Sequence, residues 1–142
     1  MKGHTLLISA CLIALYIGCQ KEPLTSLVGT HWQFIHYVDA DDQTLHAYPR
    51  ELESYQLIFD TDTSLSLPNG CNYLEGTYGI REAGELFISS LWPGTSLGCG
   101  DFANWESRIV RVLQQSASYE ASAQTLVISN AQGELYFKRI KK

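Results

Sequence analysis

The chain has 142 residues, a formal net charge of −5, 18 % charged residues, three Trp and eight Tyr. That length is about one domain, and the acidity argues against holding nucleic acid or anionic lipid headgroups by charge alone. Few charges and many aromatics describe a packed, β-rich fold and exclude a disordered chain.

The N-terminus has the layout of a bacterial lipoprotein export signal. Lys2 precedes an apolar run over residues 6–17, which gives way to Gly18-Cys19 and the polar Gln20-Lys21-Glu22. A basic start, an apolar core and a small residue at the cleavage point make a secretory signal, and the run is shorter than the ~20 residues of a membrane-spanning helix. In such signals the cysteine sulfur takes the lipid before cleavage, so Cys19 is the expected anchor. Tyr16 departs from the Leu usual at that place. Ile8-Ser9-Ala10-Cys11 matches better by letter, but its apolar stretch is too short for export. The organisation expected is a signal peptide over 1–18, a lipidated tether over 19–26 and one domain over 27–142. Gln20 is not the Asp that favours inner-membrane retention in enteric bacteria, so the expected location is the outer membrane.

Residues 30–38 alternate, with Trp32, Phe34, His36 and Val38 on one face and His31, Gln33, Ile35 and Tyr37 on the other, a strand pattern. Asp39-Ala40-Asp41-Asp42 reads as a polar turn. Residues 55–59 and 64–67 read as the next two strands, and Pro68-Asn69-Gly70 as a turn. A fourth strand over 72–80 contains Gly76 and Gly79, which suggests a bulge or sharp curvature. A fifth spans 85–90, followed by a long loop over 91–100.

The period then changes. Phe102, Trp105, Ile109, Val112 and Leu113 form one stripe of a helix, with Asp101 as the expected N-cap and Arg108 and Arg111 suited to its C-terminal half. Residues 118–121, 125–129 and 134–140 complete a meander. The fold class expected is α+β, mostly β: a strongly curved antiparallel sheet or partial barrel of about eight strands with one helix at an end or flank.

After Cys19, only Cys71 and Cys99 remain. In an oxidising compartment such a pair is expected to form a disulfide, which would stabilise the fold by roughly 3–4 kcal/mol on the chain-entropy estimate. A metal pair would want further His or Cys at ligand spacing, and a redox dithiol would favour C-x-x-C. Neither is present, although both remain alternatives.

Several stretches together resemble the META domain, the family of the HslJ-type heat-shock lipoproteins. Leu27, Gly29, Thr30 and Trp32 look like that family's L-x-G-T-x-W opening, and Gly70-Cys71-Asn72 with Gly76 and Tyr78 is similar to its G-C-N-x-x-x-G-x-Y signature. Thr95-Ser96-Leu97-Gly98-Cys99 resembles T-x-M-A-C, and Leu126, Ile128, Gly133, Leu135 and Phe137 follow the closing hairpin. The resemblance implies a compact antiparallel barrel with one helix, and Cys71 near Cys99. It brings no catalytic residues.

Candidate chemistry is sparse. Asn72 is either a ligand contact or an amide that satisfies its own turn, and the second reading is favoured. Asp39, Asp41 and Asp42 hint at calcium, but Gln43 and Thr44 occupy places where an EF-hand needs Asp or Asn and Gly. His31, His36 and His46 could bind metal or act as bases, but His31 and His36 differ by an odd number, so on one regular strand they face opposite sides, which weakens a shared site. Glu51 and Glu53 read as surface charge. G-x-S-x-G, Walker and dinucleotide-binding glycine patterns are absent. The apolar residues Leu91, Trp92, Pro93 and Leu97 either seal the barrel mouth or display a partner-binding patch.

The function expected is therefore that of a non-enzymatic, monomeric envelope lipoprotein. It needs no cofactor or metal, touches the membrane through its lipid, and binds an envelope protein or a hydrophobic ligand in stress tolerance. The alternative is a lysozyme inhibitor, since an acidic domain is drawn to a basic enzyme.

Overall fold

The computed structural model describes residues 24–50, 55–82, 84–93, 98, 100–115 and 117–141. Nine strands and one helix follow in the order β1 (Thr30–Asp39), β2 (Leu45–Ala47), β3 (Gln56–Phe59), β4 (Ser64–Leu67), β5 (Leu74–Ile80), β6 (Glu85–Pro93), α1 (Asp101–Leu113), β7 (Ala117–Ala121), β8 (Thr125–Asn130) and β9 (Gly133–Ile140). Each of β3 to β9 pairs antiparallel with its neighbour in sequence, and β9 returns to β1. The sheet closes into an eight-stranded barrel with β2 as an extra strand. Closure depends on the length of β1. Its first half pairs with β3 and its second half with β2 on one edge, while the other edge runs along β9. Closing the ring pairs most strands on both edges, although β6 meets β7 only at Glu85–Ser118 and Leu86–Ala117.

The opening segment shows why its residue types stand where they do. Leu27 is buried, Gly29 takes a positive φ of 68°, and the Thr30 hydroxyl donates to the Leu27 carbonyl. The Trp32 indole N–H then donates to Thr30 Oγ1 at 2.6 Å, so a fully buried Trp has its polar atom satisfied. The barrel interior around it is occupied by side chains, among them Phe34, Tyr55, Leu57, Phe59, Leu86 and Leu126, in one contiguous cluster.

The regular alternation expected along β1 does not hold. Phe34 pairs with Phe137 and His36 with Tyr136, so Ile35 is an extra residue in a bulge. The bulge inverts the faces beyond it: Tyr37 is buried while His36 lies on the outer side, stacked on Tyr136 with centroids 4.3 Å apart. His31 and His36 therefore share an outer side. Two further differences concern strand number and length. The segment 45–47 forms β2, and β6 runs on through Leu91, Trp92 and Pro93, which were expected in a loop.

The helix packs against β6, β8 and β9, and Ile109, Val112 and Leu113 are fully buried. Its C-terminal turn is tied down where Asn130 Nδ2 donates to the Val112 carbonyl at 2.8 Å. The N-cap is Gly100, with φ 52° and no side-chain cap, and Asp101 is the first helical residue. Asp101 thus acts through the helix dipole and not as a cap. Arg111 stands in the last turn as expected, whereas the Arg108 guanidinium lies over the Trp105 ring at 5.5 Å.

Candidate functional site

Two places outside the plain core carry polar chemistry. The first is the turn between β4 and β5. Asn72 donates twice to one carboxylate: its backbone N–H to Glu106 Oε2 and its side-chain Nδ2 to Glu106 Oε1, each at 2.8 Å. Glu106 projects from the buried face of α1 and is only 9 % exposed. The two bonds fasten the helix to the turn and compensate the carboxylate for its lost water. Gly70 is required by space: a Cβ there would stand 2.5 Å from Tyr55 Cε2 and 2.8 Å from Glu106 Oε2. Cys71, 8 % exposed, lies between them, with the Asn72 amide 3.5 Å from its sulfur.

Tyr55 completes this corner. Its ring is fully buried, and its hydroxyl has no hydrogen-bond partner among the described residues. Burial, then the neighbouring Glu106 charge, push its pKa far above the ordinary value, so the phenol stays protonated. This corner is a latch between helix and turn, and a small open hollow beside it is lined by Asn72, Leu74, Leu91, Glu106 and Val110 among others.

The second place is on the outside. Ser90 has a positive φ of 60°, and the β5–β6 register shifts between Glu75 and Thr77. The extra residue turns Leu91 inward and Trp92 outward, where Trp92 is 71 % exposed. Gly76 lets the strands close on this kink, since a Cβ would meet Leu91 Cδ2 at 3.0 Å and the Ser90 carbonyl at 3.1 Å. A shallow groove results, lined by Trp92, Tyr73, Pro93, Glu75 and Asp60 among others. The Tyr73 hydroxyl donates to Glu75 Oε1 at 2.7 Å, which holds the Tyr73 phenol above its ordinary pKa.

The META domain family model matches residues 25–142. The chain belongs to the META domain family. Among curated proteins no sequence matches significantly. Two solved structures share the fold. A protein from Burkholderia xenovorans, solved by NMR, is 22 % identical with a TM-score of 0.66, covering 82 % of this chain and 85 % of its own. A second NMR structure is 18 % identical with a TM-score of 0.62, covering 81 % and 95 %.

Within this META domain the residues singled out by sequence separate. The Asn72 amide belongs to the latch and bonds the Glu106 carboxylate of the helix, where the sequence suggests that it satisfies backbone groups of its own turn. Trp92 lies on the groove, in a strand and not a loop. Cys19, Leu97, Cys99, Glu51 and Glu53 lie outside the described residues, as does the signal segment. Asp39 and Asp42 accept backbone N–H bonds from Asp41 and Thr44, each closing its own turn. His46 stacks on Tyr37 at 5.9 Å. Among the described residues, no group of three or more His, Cys, Asp or Glu could hold a metal ion, and no helix is long and apolar enough to cross a membrane.

Glu106 is the residue that sequence reasoning missed. A signal was available: 102, 105, 106, 109, 112 and 113 are all positions of one helical stripe, and a lone acid on an apolar stripe marks a buried, partnered carboxylate.

Proposed function

We propose that this META domain is the working part of a non-enzymatic envelope lipoprotein that binds a protein partner through its outer surface. Lipid on Cys19 tethers it, most simply to the outer membrane, and the residues up to Leu24, where the chain docks on the barrel, serve as the spacer. The partner contact supports the envelope under stress. The observation that carries this reading is the contrast between a barrel interior filled by side chains and a Trp left 71 % exposed outside. A filled interior leaves little room for a hydrophobic ligand, so the exterior carries recognition.

The proposal includes a Cys71–Cys99 disulfide. It is supported by the burial of Cys71. Counting thiols on unfolded, unreduced protein tests the bridge, and mass spectrometry of the mature N-terminus tests the anchor.

The partner reading is tested in cells by placing a photo-crosslinking amino acid at Trp92, with Val28, exposed elsewhere on the barrel, as the control position. A discrete crosslinked protein at 92 and not at 28 is expected. The same background at both positions overturns the reading. The lysozyme-inhibitor alternative draws on the net charge of −5. Inhibition of lysozyme by an equimolar amount of purified protein would replace the first reading with the second.

A further inference from the structure

We propose that the Trp92 groove docks a basic polypeptide segment, with a Lys or Arg side chain lying on the Trp92 ring and its charge against Glu75 and Asp60. This rests on the partner-binding reading and names the partner's chemistry.

The chain's own tryptophans point to the cation. Arg139 lies 5.0 Å over the Trp32 ring and Arg108 lies 5.5 Å over Trp105. Trp92 is the one Trp with no such cation among the described residues, and it is by far the most exposed of the three. Trp offers the best aromatic face for a cation. A ring open to solvent beside carboxylates is complementary to a cation from another molecule.

Charge and geometry agree with this. Glu75 stands directly opposite Trp92 in the β5–β6 ladder, and such cross-strand neighbours have Cβ atoms about 5 Å apart. The Tyr73 hydroxyl fixes one Glu75 oxygen at 2.7 Å, which orients the carboxylate for a charge-assisted hydrogen bond. Asp60, in the β3–β4 turn, lines the same groove, and among the described residues no Lys, Arg or His does. The Ser90 kink holds Trp92 outward on a rigid strand, so little order is lost on binding.

The Glu75 and Asp60 carboxylates in the groove favour a basic polypeptide over a bilayer with anionic headgroups. The described chain begins at Leu24, whose N–H donates to the Ala121 carbonyl, and Leu24 borders the same hollow as Ile80. Ile80 ends β5 and Glu75 lies near its start, so the tether point and the groove are separated by about 17 Å of strand. The five Cα steps from Cys19 to Leu24 span at most about 18 Å, comparable to that separation, so the lipid anchor does not require this face to meet the bilayer.

The test uses the full chain in detergent micelles and a fluorescein-labelled nona-arginine peptide, read by anisotropy, with nona-glutamate as control. Wild type is expected to bind nona-arginine and not nona-glutamate. Trp92→Ala and Glu75→Gln are each expected to weaken binding at least tenfold with unchanged thermal unfolding. Glu120→Gln, an exposed acid bordering the far hollow, is expected to leave binding unchanged. Equal losses in all three variants would reduce the effect to general charge and overturn the proposal. Binding of nona-glutamate, or Trp92-dependent binding of the unlipidated chain to phosphatidylcholine vesicles, would overturn it too. Crosslinking at Trp92 in cells without nona-arginine binding would sink this chemistry and leave the partner reading standing. Failure of both would remove the two together.

Discussion

Glu106 and Tyr55 lie against the same glycine with opposite fates. Glu106 has both oxygens bonded by Asn72, whereas the Tyr55 hydroxyl was buried without a partner among the described residues. Glu106→Ala leaves two donors facing an empty space, so it should destabilise the domain by about 2–3 kcal/mol, with Glu106→Gln milder because one acceptor survives. Tyr55→Phe removes the orphan hydroxyl and keeps the ring, so it should be neutral or stabilise by about 1 kcal/mol. Urea unfolding midpoints measure all three. A Tyr55→Phe loss as large as that of Glu106→Ala would mean that the phenol has a partner after all. Exposure sets a second contrast, between two tryptophans: Trp32→Ala should cost about 3–5 kcal/mol and Trp92→Ala less than ~0.5.

At the scale of elements, the bulge in β1 decides which side chains meet water. By shifting the register at Ile35, it places His36 outside, against Tyr136. Partial burial lowers the His36 pKa below its ordinary 6.5, so the folded state favours the neutral ring. That stabilisation is fully present above about pH 6.5 and is lost as the pH falls through the lowered folded value. The unfolding midpoint should therefore decline between pH 7.5 and 5, and His36→Gln should flatten that part of the decline. An identical pH profile in the variant would remove His36 as the cause.

The same bulge marks a limit of what could be read from residues. Strand β1 announced itself by alternation, but nothing at Ile35, neither Gly nor Pro, signals an extra residue; the partner strand sets it. The three-residue β2 is too short for any period and exists because the second half of β1 offers an edge. Helix α1 was legible from its stripe, although its cap was not, because Gly100 adopts a positive φ that leaves no side chain to bond. Of the two polar places, the Gly70–Asn72 signature was visible and its partner Glu106 was not. Trp92 was visible, while its outward direction follows from the Ser90 kink.

For the whole molecule, closure between the first and last strands dominates. The barrel is a meander of local hairpins until β9 meets β1, so the pairing that completes it joins segments about a hundred residues apart. Such a contact carries a loop-closure entropy cost, and non-local pairing of this kind slows folding. Phe137 and Leu135 arrive with it and fill the interior beside Phe34, whose ring meets Phe137 at 5.6 Å. Without β9, the two exposed edges and the emptied core leave no smaller stable unit. Deleting residues 133–142 should therefore abolish cooperative unfolding altogether. Replacing Leu45–Ala47 with a short Gly/Ser turn removes only a strand outside the ring and should preserve a single transition. Circular dichroism melts of the two variants measure this. A β9 deletion that still melts cooperatively would show that the open sheet is stable and that closure is an addition to it.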